Sequence, residues 1–341
     1  MSSSDYRAGA GPAWDSVRPA RRSQVVLVIF ALLFALPAAV FTVLRFWQPA
    51  GQSAELLSAF IGYAIIGYLV SLLLLVIALI RARKRAVVAV ITIIVAALVC
   101  LHGSWIGPLF VPDGRAATTP AFRVLSLNML HGGADPERVA ELARYADVVV
   151  LLEVEPDTRA ALDRYGWSER FPHALGADDR GVNGSSVYSR FPLSDSELLP
   201  QTTFQQWITT VEVPDVGPVR LMGVHPCNPY CGSRTYVSEH RLIRRIAAEQ
   251  PKDRPLIIAG DFNAVDDHGA MQNLRADGLR SATDVAGAGW LPTFPANRRF
   301  PPLIPIDHVM INDRLTATEV RTVEVAGTDH LGIVATLAGT T

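Results

Sequence analysis

Charge is scarce in this chain of 341 residues. Asp, Glu, Lys and Arg make up 18% of it, half of it is hydrophobic, and its mean hydropathy is +0.25. That balance excludes an ordinary soluble domain with its apolar residues spread evenly. No repeat recurs at a solenoid period. No G-x-S-x-G elbow is present, which argues against a Ser–His–Asp hydrolase. No His or Cys cluster has zinc spacing. Cysteine is limited to Cys100, Cys227 and Cys231.

The apolar excess is concentrated before residue 110. Three runs, at about 25–44, 56–80 and 86–106, are each long enough for a helix crossing ~30 Å of hydrocarbon. None shows the alternation of a barrel strand. Basic residues set the expected orientation. Arg18, Arg21 and Arg22 precede the first run, and Arg81, Arg83, Lys84 and Arg85 separate the second from the third. The positive-inside rule places both groups in the cytoplasm and everything after the third run outside it. The expected division is a cytoplasmic tail over 1–23, a membrane domain over 24–106 in contact with the lipid bilayer, a linker over 107–121 and a catalytic domain over 122–341. Trp47 and Trp105 read as interfacial anchors, and His102 as an interface residue rather than a ligand. The result is a multi-pass cell-membrane protein with its C-terminal domain extracytoplasmic.

Charge divides along the same line. Residues 1–120 carry 10 Lys and Arg against 4 Asp and Glu, and residues 121–341 carry 21 against 28. The acidic half is a poor general polyanion binder unless it bears a basic patch or a cation. Cys227 and Cys231, in CNPYC, lie in this half. A disulfide in an oxidising compartment, two free thiols and a two-Cys metal site are all compatible with the spacing.

From Phe122 onward, short apolar runs alternate with turns. FRVLSLN (122–128), DVVVLLE (147–153), 185–188, 206–213, 219–225, PLIIAGD (255–261), 306–312 and 331–336 read as strands. Helical periods occupy 135–145, 157–165, 236–250 and 268–277. Mixed hairpin-like and helix-separated strands predict two sheets with outer helices, an α+β layered fold. Several strands end in a carboxylate, amide or imidazole: Asn128, Glu153, His225, Asp261 with Asn263, Asp307 with His308, and Asp329 with His330. Such a rim suits phosphate-ester hydrolysis. Carboxylates hold Mg²⁺ or Mn²⁺, an Asp–His pair supplies a base and its orienter, and Asn side chains donate to phosphate oxygens.

The segments SLNMLHGG (126–133), ADVVVLLEVE (146–155), SSVYSRFPL (185–193), GVHP (223–226), IIAGDFNA (257–264), WLPTFP (290–295), IDHVMI (306–311) and TDHLGIVA (328–335) resemble, in that order, the deoxyribonuclease I-like endonuclease/exonuclease/phosphatase family. The resemblance implies a four-layer α/β/β/α sandwich behind the three transmembrane helices. It makes Glu153 the principal metal ligand, with Asn128 close to metal or phosphate and Asp329 near the metal. It makes Asp261 the group that positions or activates water, Asn263 a phosphate contact, and His330 the terminal base or phosphate contact oriented by Asp307. His225 matches a second histidine of the nuclease and sphingomyelinase-type members. CNPYC is an unusual insertion that shapes the substrate entrance, and Trp290 and Phe294 are candidates to flank the site or to pack in the core. The substrate class is a phosphoester: lipid head group, small molecule or nucleic acid. The alternative is a catalytically silent binding or sensing domain, against which the intact residue set argues.

Overall fold

The computed structural model describes residues 18–81 and 85–340. The tail before Arg18, and Arg83 and Lys84 of the basic loop, lie outside the described residues. Two compact units emerge. Among the described residues, one holds those up to Val43 with those between Gly62 and Ser104, and the other holds Leu44–Ile61 with those from Trp105 onward.

The first unit is helical, built from most of α1 (Arg18–Trp47), α3 (Ala64–Arg81) and α4 (Ala86–Ile106), with α2 (Gln52–Ser58) falling in the other unit. Three stretches are long and apolar enough to cross a membrane: Ser23–Trp47, Ile61–Arg81 and Ala86–Phe110. Small residues face inward, with Ala31, Ala35, Ala38, Ala64 and Ala78 buried. That permits the close backbone approach expected between helices in lipid. Thr42, Tyr68 and His102 form a buried polar knot. Thr42 Oγ1 lies 2.7 Å from the Tyr68 hydroxyl and 3.0 Å from His102 Nε2. His102 therefore sits inside the helix packing, 1% exposed. The three polar side chains satisfy one another among apolar neighbours.

The expected second run divides. Its first part becomes the short α2, and the long helix starts at Ala64. The segment Leu44–Ile61 packs as part of the C-terminal unit. Arg45 pairs with Asp267, and the Gln48 amide donates to Asp267 O at 2.8 Å and accepts from Gly269 N at 2.9 Å. His268 Nε2 meets the Glu55 carbonyl at 2.8 Å, and Ala59 packs with Val265 and Ile306.

The rest of the C-terminal unit is two six-stranded mixed sheets. In chain order the strands are β1 (Phe122–Asn128), β2 (Val148–Leu152), β3 (His173–Ala177), β4 (Ser185–Ser189), β5 (Leu193–Leu198), β6 (Trp207–Val213), β7 (Gly217–Val224), β8 (Leu256–Asp261), β9 (Arg280–Ser281), β10 (Asp307–Ile311), β11 (Leu315–Val323) and β12 (Gly332–Gly339). One sheet runs β11-β12-β1-β2-β4-β3, the other β5-β6-β7-β8-β10-β9. The period-2 pattern explains the layering. Val124, Val150 and Val187 from one sheet meet Leu221, Ile257 and Val309 from the other in a shared core. The alternate residues Leu125, Val149 and Leu151 face outward onto Val139, Leu162 and Trp167, from helices after β1 and β2. On the opposite flank Met222, Ile258 and Met310 pack on Ile243, Met271 and Leu274. Helix, sheet, sheet and helix make the expected four layers.

Candidate active site

Strand ends place the polar rim on both sheets. Asn128 ends β1, Glu153 follows β2, and Asp329 and His330 precede β12. His225 follows β7, Asp261 ends β8 and Asp307 opens β10. Asp261 and Asp307 are register partners across the β8–β10 pair. The two sets meet over the sandwich. His225 Nε2 lies 3.8 Å from Glu153 Oε1 and 3.7 Å from Asp261 Oδ2, and His330 Nε2 lies 3.7 Å from that same Asp261 oxygen.

Asn128 joins the sheets, its amide donating to Glu153 at 3.0 Å and to Asp261 at 3.2 Å while its Oδ1 accepts from Leu130 N. The turn after β1 wraps Glu153. His131 N donates to Glu153 Oε2 at 2.9 Å, and Gly132 N donates to the Glu153 carbonyl at 2.8 Å. Glu153, Leu130, His131 and Asn263 all adopt positive φ, at 57°, 46°, 50° and 49°. Left-handed backbone at four non-glycine residues around one cavity is strain concentrated where function is placed.

His330 is the most tightly held group. Its Nδ1 lies 2.8 Å from Asp307 Oδ2, and its backbone N donates to Thr328 Oγ1. Thr328 in turn donates to Asn128 O, and Thr293 Oγ1 accepts from Ile306 N and Asp307 N. Burial pushes the His330 imidazole down, but the carboxylates of Asp307 and Asp261 outweigh it and hold the ring up at about 10. Burial pushes the Asp261 carboxyl up. His330 opposes that rise, and Asp307 adds to it. Asn263 lines the cavity with its side-chain amide tied to Pro226 O at 3.0 Å, and its N–H donates to Asp261 Oδ1. Cys227 and Cys231 are joined as a disulfide, Cα atoms 6.1 Å apart, and the intervening Asn228, Pro229 and Tyr230 line the cavity.

The cavity holds about 310 Å³. A larger one of about 580 Å³ lies among Arg244, Lys252, Asp277 and Arg314 and contains none of these residues. Asp261, Asp307 and His330 bring one ligand-type atom each within 4.8 Å of one another. The Asp307–His330 hydrogen bond already engages two of them, so that trio serves better as a proton-holding line than as a complete ion cage. A cation fits the wider set. Glu153, Asp261, Asp307 and Asp329 crowd four carboxylates around two imidazoles, and Oδ1 of both Asp307 and Asp329 is buried with no hydrogen-bond partner. Excess buried negative charge on oxygen donors suits a hard divalent ion.

Some neighbours carried little signal. His131 Nε2 stands 3.8 Å from Glu153, Phe204 stacks 4.9 Å from the His225 ring, and Phe294 lies 5.0 Å from the His330 ring. Trp290 does not line the cavity. Thr293 and Thr328 were legible only as letters inside WLPTFP and TDH. Glu55, just ahead of the second expected run, and Leu56 and Ala59, inside it, line the cavity and were not foreseen.

A two-sheet sandwich with a carboxylate and histidine rim at the strand ends defines the class: a phosphoester hydrolase of the four-layer type. The sequence profile of the Endonuclease/Exonuclease/phosphatase family matches residues 125–330, and the chain belongs to that family. Its enzymes are generally dependent on a divalent metal. No curated protein sequence matches the chain. Among solved structures, an endonuclease/exonuclease/phosphatase from Beutenbergia cavernae DSM 12333 is 22% identical with a TM-score of 0.52, over 64% of this chain and 72% of that one. D. rerio TDP2 complexed with single-strand DNA product is 18% identical with a TM-score of 0.52, over 64% and 98%. A family protein from Bacteroides thetaiotaomicron is 15% identical with a TM-score of 0.51, over 64% and 98%. At these identities the likeness is one of fold.

Proposed function

We propose that the chain is a membrane-anchored, metal-dependent phosphoesterase that hydrolyses phosphodiester or phosphomonoester bonds outside the cytoplasm. The observation that carries this is the meeting of Glu153, Asn128 and His330 from one sheet with His225 and Asp261 from the other in one cavity, with Asp307 buried behind His330. Glu153, with Asn128 and Asp329 beside it, would hold Mg²⁺ or Mn²⁺. An ion held there would neutralise phosphoryl charge and stabilise the leaving oxygen. Asp307 accepts from the His330 Nδ1 proton and leaves Nε2 facing the cavity, where it meets phosphoryl oxygen as a donor. His225 Nε2 faces the same space. Asp261, its carboxyl raised by burial, takes the proton of the attacking water. Asn128 fixes Asp261 against Glu153, so base and cation ligand move together.

The three apolar helices support membrane anchoring. The basic residues around the first and second runs support an external catalytic domain, and so does the Cys227–Cys231 bridge, since disulfides persist in oxidising compartments. Full-length protein in detergent is expected to hydrolyse bis(4-nitrophenyl) phosphate with Mg²⁺ or Mn²⁺, to stop on chelation, and to lose activity in Asp261→Asn. Turnover undiminished by chelation or by that variant would overturn the reading. Protease added to intact cells should digest the catalytic domain; full protection reverses the topology.

A further inference from the structure

The catalytic cavity has a wall that the catalytic domain's own sequence does not supply. Glu55, Leu56 and Ala59 come from the segment between the first two apolar helices. That segment is fastened into the unit by the Arg45–Asp267 pair, the two Gln48 bonds, the His268–Glu55 carbonyl bond and the Ala59 packing. Its position in the wall is therefore built, not incidental.

Glu55 is the chemically informative residue of that wall. It is 7% exposed, Oε1 accepts from the Ser233 hydroxyl at 2.5 Å, and Oε2 is buried with no hydrogen-bond partner. A buried carboxylate oxygen left unmatched costs free energy unless a ligand completes it. It also adds a negative charge to a cavity already lined by Glu153, Asp261 and Asp329. For a phosphate ester alone that charge is adverse. No Lys or Arg is among the described residues lining the cavity, although tracts that bind nucleic acid rely on them. Phe204, Tyr230 and Phe294 present aromatic surface to the same space, and aromatic faces with a carboxylate suit an ammonium group.

We propose that the Leu44–Ile61 segment completes the active site and that Glu55 selects phosphodiesters bearing an ammonium group, as zwitterionic phospholipid head groups do. This rests on the phosphoesterase reading above. The ammonium group supplies a countercharge for Glu55, beside which the described lining offers no Lys or Arg. The covalent continuity of the wall with an apolar helix at each end favours a lipid source over a soluble one.

The test uses full-length protein in detergent with divalent metal. Five substrates are compared: phosphatidylcholine vesicles, soluble glycerophosphocholine, phosphatidylglycerol vesicles, bis(4-nitrophenyl) phosphate and a single-stranded oligonucleotide. The wild type is expected to show the highest kcat/KM on an ammonium-bearing diester. Preference for the vesicle identifies a lipid source, and preference for glycerophosphocholine a soluble one. In Glu55→Gln the preference for the ammonium diester over phosphatidylglycerol should fall about tenfold, the loss of roughly one charge-assisted contact, while Glu55→Asp keeps more of it. A folded Glu55→Gln protein with unchanged preference overturns the proposal, as does a wild type that favours the oligonucleotide. If Glu55→Gln does not fold, inhibition of wild-type bis(4-nitrophenyl) phosphate hydrolysis by tetramethylammonium chloride decides. Inhibition no greater than by sodium chloride at equal ionic strength overturns it. Hydrolysis of bis(4-nitrophenyl) phosphate without ammonium preference defeats this inference alone, whereas no hydrolysis of any substrate defeats the phosphoesterase reading itself.

Discussion

Gly260→Ala isolates the link between strand packing and chemistry. Gly260 precedes Asp261 in β8 and is the register partner of Val224 in the parallel β7–β8 pair. Its φ is +152°, and a Cβ added there falls 1.9 Å from the Val224 carbonyl oxygen, against 3.4 Å for ordinary contact. The missing 1.5 Å must come from backbone, since the obstacle is a carbonyl of the neighbouring strand. Overpacking costs about 1–3 kcal/mol, and unfavourable φ costs about 1–3 kcal/mol more. Asp261 is the next residue, and displacement of a catalytic group by about 1 Å lowers turnover by about 10²-fold. Gly223→Ala is the control. Its Cβ meets only methyl groups of Val150 and Val187, at 3.3 Å, so about 1 kcal/mol and a small change in turnover are expected. Measured on bis(4-nitrophenyl) phosphate with thermal melts alongside, Gly260→Ala should be folded, less stable and about 10²-fold slower. A Gly260→Ala enzyme within about twofold of wild-type kcat, on the scale of that estimate, would refute the claim that β7–β8 spacing positions Asp261.

Three further outcomes follow from the geometry. Asp307→Asn removes the carboxylate that holds His330 up, so kcat should drop by about 10²–10³-fold. Because the imidazole is charged below its pKa, the alkaline limb of the pH–rate profile should move to lower pH; a profile of unchanged shape contradicts the orienting role. Burial, aided by the His268 charge, pushes His240 down to about 3. The unfolded chain then binds the extra proton between about pH 6.5 and 3, so stability should fall on acidification by up to about 1.4 kcal/mol per pH unit. His240→Phe, packed beside the Tyr236 ring at 4.6 Å, should flatten that slope in urea titrations. Leu125→Ala, fully buried against the outer helices, should cost about 2–5 kcal/mol of stability by urea unfolding, with kcat on the remaining folded protein little changed.

Much of this was legible in the sequence because buried strands and apolar helices write strong patterns. DVVVLLE, PLIIAGD and the third apolar run mark their elements within a few residues, whereas the second run, expected over 56–80, splits into α2 and a long helix that starts at Ala64. The strands His173–Ala177 and Leu193–Leu198 were not legible. The first is partly exposed and contains Gly176 with φ +117°, and the second, LSDSEL, lies largely exposed at a sheet edge. Edge strands carry little apolar alternation, so nothing in their letters separates them from loop. The rim residues were legible because ordered strand termini converge. Glu55 was not, since its placement depends on tertiary contacts made by Gln48, Ala59 and His268 that no local pattern encodes. Thr293 and Thr328 act through backbone bonds that hydroxyl side chains make in many settings.

One sheet is a single uninterrupted stretch of chain, β5 to β10, while the other is assembled from β1–β4 and β11–β12 on either side of it. His330 enters directly ahead of β12, the strand that inserts between β11 and β1. During synthesis all strands of the β5–β10 sheet are therefore available while its counterpart still lacks two members and His330. The complete rim is assembled only once the last strand is in place. A chain released short of β12 would lack the strand that both β1 and β11 pair with, and its rim would stay open on that side.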